Sequence, residues 1–232
     1  MHRLLLVLTA LSFLLFQSGL VAAAAQSTPV LNPALPNVLI LGDSISIGYT
    51  PLVREGLKDR ANVLRPNANC GDTRSGLANL EKWLGDTPWH VIHFNWGLHD
   101  LCYRDPSKVR GNRDKVKGRL SVSLPDYEKN LETLVLRLKK TGATLIWAST
   151  TVVPEGEAGR FVGDDLKYNA VAASLMRKHG VLVNDLHATT KTFAPEMFTG
   201  LGDVHFTPEG YARLAARVVA SATGVLTPQP RR

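Results

Sequence analysis

The chain has 232 residues, 44% of them hydrophobic and 20% charged, with 19 Gly and 13 Pro. That length suits one domain, and the composition is that of a folded globular protein, not of a disordered, collagen-like or coiled-coil chain. Lys and Arg number 27 against 20 Asp and Glu, for a formal charge of +7, and the two Cys are too few for a disulfide scaffold or a Cys-rich zinc module.

Residues 1–25 read as a secretory signal peptide. Met1-His2-Arg3 is a short basic start, Leu4 to Phe16 is almost wholly apolar, and Ala23-Ala24-Ala25 forms an A-x-A pattern before Gln26. The apolar run is short for a bilayer span, which argues against an uncleaved anchor. The expectation is therefore a secreted or periplasmic protein, with no membrane attachment after the signal is removed. Residues 26–36 carry three prolines and read as an irregular leader, and 37–232 as a single domain.

Val38 to Leu41 is a continuous apolar run that stops at Gly42-Asp43-Ser44. Lack of alternation predicts a strand buried on both faces, as in a parallel sheet covered by helices. Val91 to Phe94, Thr144 to Ala148 and Val181 to Val183 repeat the pattern, and Asn62 to Leu64 is a weaker instance. Between them the 3.6-residue spacing of Leu131, Leu134, Val135 and Leu138 predicts a helix over 126–140, with Asp126 as its N-cap and Gly142 as its stop. Further helices are predicted over 165–179 and 208–222. Alternation of this kind means an α/β fold: a three-layer, doubly wound parallel sheet of about five strands, whose ligands bind beyond the carboxyl ends of the strands.

The segment between Tyr103 and Pro125 holds seven basic residues, Arg104, Lys108, Arg110, Arg113, Lys115, Lys117 and Arg119, against Asp105 and Asp114. It reads first as a solvated surface loop and second as a patch that attracts an anionic polymer. Nucleic acid fits poorly, because the segment is not interleaved with stacking aromatics.

Ser44 stands directly after the first strand, where a tight turn presents a hydroxyl at the sheet's edge, although Asp and Ser there also serve as ordinary helix N-caps. Ser46 replaces the second glycine of the α/β-hydrolase elbow, so that motif is absent. Near the other end, Pro208 opens a helix and leaves His205 in the loop ahead of it, with Asp203 two positions earlier. A serine hydroxyl needs a base at neutral pH, and an acid beside a histidine fixes the tautomer that leaves the other nitrogen free. Two loops between them, Asn69-Cys70-Gly71-Asp72 and Asn95-Trp96-Gly97-Leu98-His99-Asp100, could supply oxyanion donors. His90, His93, His179 and His187 read as structural. No spacing resembles a metal site, and neither a metal nor a cofactor is expected.

These blocks resemble the SGNH or GDSL hydrolases, serine esterases with a flavodoxin-like fold of strand order 2-1-3-4-5. Gly42-Asp43-Ser44 matches the first block, Gly71 the second, Gly97-Leu98-His99-Asp100 the third, and His205 lies in the last; Tyr127, Leu131, Tyr168 and Asn169 are lesser matches. The resemblance implies Ser44 as nucleophile, His205 as base, Asp203 as its orienting acid, and Ser44, Gly71 and His99 as oxyanion donors. Two positions depart from the pattern. His99 stands where the family usually has Asn, and Gly202 where it usually has Asp, so Asp203 takes that part or the site is a Ser–His dyad. With the strand order implied, the loops holding Cys70 and Cys102 flank Ser44. A Cys70–Cys102 disulfide would clasp them, the alternative being two free buried thiols.

The reading is a serine esterase acting on a small-molecule or polysaccharide ester, possibly anionic, with O-acetylated carbohydrate as the first choice. An acyltransferase on the same Ser–His pair and a non-catalytic carbohydrate-binding protein are the alternatives. Nucleic acid is not an expected partner, and nothing in the pattern specifies an oligomeric state.

Overall fold

The strand at Asn37–Leu41 (β1) is the organising element, and all but its first residue are buried. In the computed structural model, which describes residues 31–108 and 112–226, it pairs in parallel with Asn62–Leu64 (β2) on one side and Val91–Phe94 (β3) on the other. Thr144–Ala148 (β6) and Leu182–Asn184 (β7) continue beyond β3, also parallel, for the order β2-β1-β3-β6-β7. Counted within this sheet, that is the 2-1-3-4-5 arrangement. The described residues belong to one unit. The signal-peptide reading, the leader up to Val30 and Arg110 lie outside the described residues.

Parallel neighbours need crossover helices, and right-handed crossovers decide the layers. Ser44–Leu57 (α1) returns the chain from β1 to β2 and packs on Pro208–Thr223 (α6), while Leu186–Thr190 (α5) also meets α6. Thr73–Leu84 (α2), Leu124–Lys139 (α3) and Asp164–His179 (α4), whose crossovers run the other way, pack against one another in series. The winding direction reverses between β1 and β3, which opens a crevice at the carboxyl ends of these strands. Trp96, Trp147, Tyr49, Tyr127, Phe94 and Phe206 are the largest fully buried side chains of the core.

Five helix starts differ from the sequence reading, among them α4, which begins one residue earlier at Asp164, and the short α5, which the reading does not include. The helix α3 begins at Leu124, because Ser123 and not Asp126 caps it: Ser123 Oγ accepts from the Asp126 N–H at 3.3 Å and donates to Asp126 Oδ2 at 2.6 Å. Pro125 in the first turn is compatible with this, since its missing N–H would have had no partner there. The helix α1 follows β1 after a two-residue turn and α2 follows β2 after an eight-residue loop, and neither is marked by apolar spacing. Both are instead announced by caps, with Asp43 Oδ1 accepting from Ile45 N–H and Asp72 Oδ1 from Ser75 N–H.

The basic segment is not a plain solvated loop. Tyr103–Arg104 (β4) and Arg119–Leu120 (β5) form a two-stranded antiparallel ribbon, and Arg104 also bridges to Arg113. Backbone bonds from Tyr103 N–H to Gly159 O (2.6 Å) and from Lys115 N–H to Ala158 O (2.8 Å) stitch this strap to the connection between β6 and α4. The disulfide expectation is also corrected. Cys70 and Cys102 are free, buried thiols. Cys70 packs into the main core, whereas Cys102 Sγ turns to the Tyr103 carbonyl in the strap at 3.6 Å.

Candidate active site

Ser44 is the first residue of α1, held there because β1 ends in Gly42-Asp43 and the Asp43 carboxylate caps the helix. Both readings of the Asp-Ser pair therefore apply to it: the aspartate is the cap, and the serine stands at the mouth of the crevice. His205 comes from the loop before α6, whose N-cap is Thr207. Ser44 Oγ donates to His205 Nε2 at 2.8 Å, and His205 Nδ1 donates to Asp203 Oδ1 at 2.7 Å. The same aspartate oxygen accepts from the His205 backbone N–H at 3.1 Å, and Thr199 Oγ1 donates to Oδ2 at 2.8 Å. Burial pushes the Asp203 carboxyl up, but the bonds from His205 and Thr199 outweigh it and hold the pKa at about 2. The acid thus stays ionised beside the ring, which fixes the Nδ1–H tautomer and leaves Nε2 as an acceptor for the serine proton.

The shift of the acid from position 202 to 203 has a steric cause. Gly202 adopts φ +70°, and a Cβ built on it would lie 2.5 Å from the Gly156 carbonyl oxygen. No aspartate fits there. The turn instead delivers Asp203, two residues before the histidine, to the same nitrogen.

The remaining sequence-derived residues surround this pair. Gly71, at φ +62°, follows β2; its N–H donates to Asn69 Oδ1 at 2.9 Å, so an expected oxyanion donor carries an internal acceptor. His99 lines the same cleft, with Nδ1 3.5 Å from Arg104 Nη2. A guanidinium can only donate, so Nδ1 accepts and the proton sits on Nε2. Burial lowers the His99 pKa, Asp43 opposes this, and Arg160 and Arg104 add to the lowering. Asn95, the other amide in that loop, does not join the site. Its Nδ2 donates to Ala148 O at 2.8 Å and ties the ends of β3 and β6 together.

Supporting contacts lock these loops. Tyr127 Oη donates to Trp96 O at 2.9 Å, Trp96 Nε1 to Cys70 O at 3.3 Å, and Asn169 exchanges two bonds of 2.8 Å with the Thr150 backbone. Asp100, fully buried, accepts from the Thr73 N–H and hydroxyl and so joins the loop after β3 to the start of α2. Ser44 and His205 open onto a cleft of about 330 Å³ whose lining includes Arg104, Asn112, Arg113 and Arg160. The sequence reading missed Arg160, Glu157 and Thr199. They are single polar residues in loops, without periodicity or motif to mark them.

Residues 40–213 match the profile of the GDSL-like lipase/acylhydrolase family. No curated protein matches the sequence. Solved structures share the fold: a lipase/acylhydrolase from Enterococcus faecalis at 20% identity and TM-score 0.65 covers 85% of this chain and 100% of its own. An acetylxylan esterase from Geobacillus stearothermophilus, 19% identical with TM-score 0.65, covers 85% and 96%. A putative acylhydrolase from Bacteroides fragilis, 14% identical with TM-score 0.66, covers 86% and 92%. With the family profile spanning most of the sequence and the five-stranded sheet in the matching order, the chain belongs to the GDSL-like lipase/acylhydrolase family and is an esterase.

Proposed function

We propose that the protein removes O-acetyl groups from a carbohydrate through a covalent acyl-enzyme on Ser44. The observation that carries this is the unbroken hydrogen-bond line from Ser44 Oγ through His205 to Asp203. His205 Nε2 takes the serine proton as Oγ attacks the ester carbonyl carbon, and returns it to the departing sugar oxygen as the C–O bond breaks. Water then adds to the acyl carbon, giving its proton to His205, which returns it to Ser44 Oγ as the Oγ–C bond breaks and acetate is released. Asp203 positions the ring and stabilises the imidazolium that forms in each half.

The developing oxyanion is assigned to three donors: the Ser44 N–H at the positive end of α1, the Gly71 N–H and His99 Nε2–H. The Gly71 donor exchanges its bond to Asn69 for the oxyanion. Preference for acetyl over long acyl chains is supported by an open cleft without a separate lid domain among the described residues, and carbohydrate by the acetylxylan esterase among the structural neighbours. The apolar run and A-x-A pattern at the N-terminus support a reading of export to the periplasm or outside the cell.

The test is hydrolysis of p-nitrophenyl acetate and release of acetate from an acetylated polysaccharide. Ser44→Ala is expected to lower kcat by roughly 10⁴-fold or more, as loss of a triad nucleophile does. Turnover near that of the unsubstituted enzyme in Ser44→Ala would remove the covalent route.

A further inference from the structure

Ester hydrolysis uses Arg104 to fix the His99 tautomer but does not require the two other guanidinium groups on the cleft lining, Arg113 and Arg160. Glu157, with no exposed surface, accepts from Arg113 Nη1 at 3.0 Å and from Arg160 Nη1 at 2.9 Å. One carboxylate thus faces two guanidinium groups, and a buried ion pair needs only one. Arg160 is 3% exposed and spends its Nε on the Leu98 carbonyl at 2.6 Å, yet it still lines the cleft. Arg113 is its more open companion, and Arg104 adds a third cation beside His99. The acid on the same lining is Asp43, which is engaged as the cap of α1. On the cleft lining itself three guanidinium groups meet one carboxylate, Asp43, because Glu157 lies behind Arg113 and Arg160 and Asp203 lies behind His205.

We propose that Arg104, Arg113 and Arg160 form a subsite for an anionic group, a carboxylate or a sulfate, on the sugar next to the acylated one, so that the substrate is an acidic polysaccharide. This rests on the esterase reading above and narrows its substrate class. Guanidinium forks suit such groups because they offer paired, coplanar donors. The wall is also preorganised, since the backbone bonds between strap and loop fix Arg104, Arg113 and Arg160 relative to one another before any ligand arrives. On the strap, the Phe161 ring meets Tyr103 edge-on at 5.2 Å and holds Lys115 Nζ 5.6 Å from its centroid, which adds a further cation to this side of the molecule.

The approach to the cleft has the same sign. Asp105 accepts from the Ser107 N–H and hydroxyl, and Asp114 from the Val116 and Lys117 N–H groups. Both strap acids are thus drawn into local turns and Asp105 also pairs with Lys108 at 3.9 Å, yet Arg104, Lys108, Arg113, Lys115, Lys117 and Arg119 outnumber them. A field of this kind gathers polyanions and weakens with salt.

The experiment compares acetate release from O-acetylated polygalacturonate, from the same polymer with its carboxylates methyl-esterified, and from an O-acetylated sulfated galactan, with p-nitrophenyl acetate as the uncharged reference. We expect kcat/KM about tenfold or more higher on an acidic polymer than on the methylated one at low ionic strength, the preference shrinking at high salt. The better of the two acidic polymers identifies the anion. Arg113→Gln is expected to reduce the acidic-to-neutral ratio about fivefold or more, the loss of one charge-assisted bond.

Equal or faster release from the methylated polymer overturns the subsite while Ser44-dependent p-nitrophenyl acetate hydrolysis keeps the esterase reading. Release from none of the polymers, with that hydrolysis intact, overturns it too. If p-nitrophenyl acetate is not cleaved, the esterase reading falls and binding decides the subsite. Ser44→Ala protein retaining polygalacturonate but not its methyl ester supports the subsite, and equal or no retention overturns it.

Discussion

At position 99 an imidazole replaces an amide, and the substitution works only for one protonation state. A cationic ring would carry donors on both nitrogens and repel Arg104. Because Nδ1 faces that guanidinium and burial lowers the pKa, the ring is held neutral with its proton on Nε2. Removing one oxyanion donor typically costs about 10²–10³ in kcat. His99→Ala is expected to show a loss of that order on p-nitrophenyl acetate, and His99→Asn to recover most of it. Parity between His99→Ala and the parent enzyme would strike the residue from the oxyanion hole. The sequence indicated that position 99 was in the right loop but not which nitrogen carries the proton, since that depends on an arginine five residues away folding back. The Asn69–Gly71 bond was equally hidden, because it is set by a side-chain rotamer and not by spacing.

Among the elements, the join between the loop after β3 and the first turn of α2 rests on Asp100. Burial raises its pKa to about 7, against the partly compensating bonds from Thr73. In the unfolded chain a carboxyl ionises near 3.9. The folded state therefore holds a proton that the unfolded state has lost, and the stability this contributes is complete below about pH 4 and drains away as pH rises through about 7. Asp100→Asn keeps the Oδ1 acceptor for Thr73 without the charge. Scanning calorimetry at pH 5 and pH 8 should show the parent losing at least about 2–4 °C more than the variant, the shift expected for about 1 kcal/mol in a domain this size. An identical pH dependence in both would mean that Asp100 does not titrate in this range. The strands were readable because a doubly covered parallel strand is a local apolar run. The start of α3 was misplaced because Ser123 and Asp126 are both good caps, and only the reach of the serine hydroxyl decides between them. The strap was unreadable as structure, because its backbone partners, Gly159 for Tyr103 and Ala158 for Lys115, lie 56 and 43 residues further along the chain.

For the molecule as a whole, the proposed export meets two unpaired thiols. Both are buried, and burial pushes the Cys70 thiol up to about 11, so the reactive thiolate is scarce. Alkylation should add nothing to the native protein and two groups after denaturation without reductant. Failure to take up any would mean that the two sulfurs are joined after all. The fold class and the residues gathered at the strand ends were legible in the sequence, since both depend on short segments, and the strand order followed from the family resemblance. The wall across the cleft was not, since it arises where distant loops meet.

The connection between β6 and α4 has a double duty. Gly156 backs the turn that delivers Asp203, and one residue later Glu157 gathers the arginines opposite. An insertion in this connection would disturb the proposed general base and the proposed subsite together. Descendants of this scaffold can therefore diverge in substrate by exchanging side chains at constant loop length, whereas changes in length are filtered out by loss of turnover.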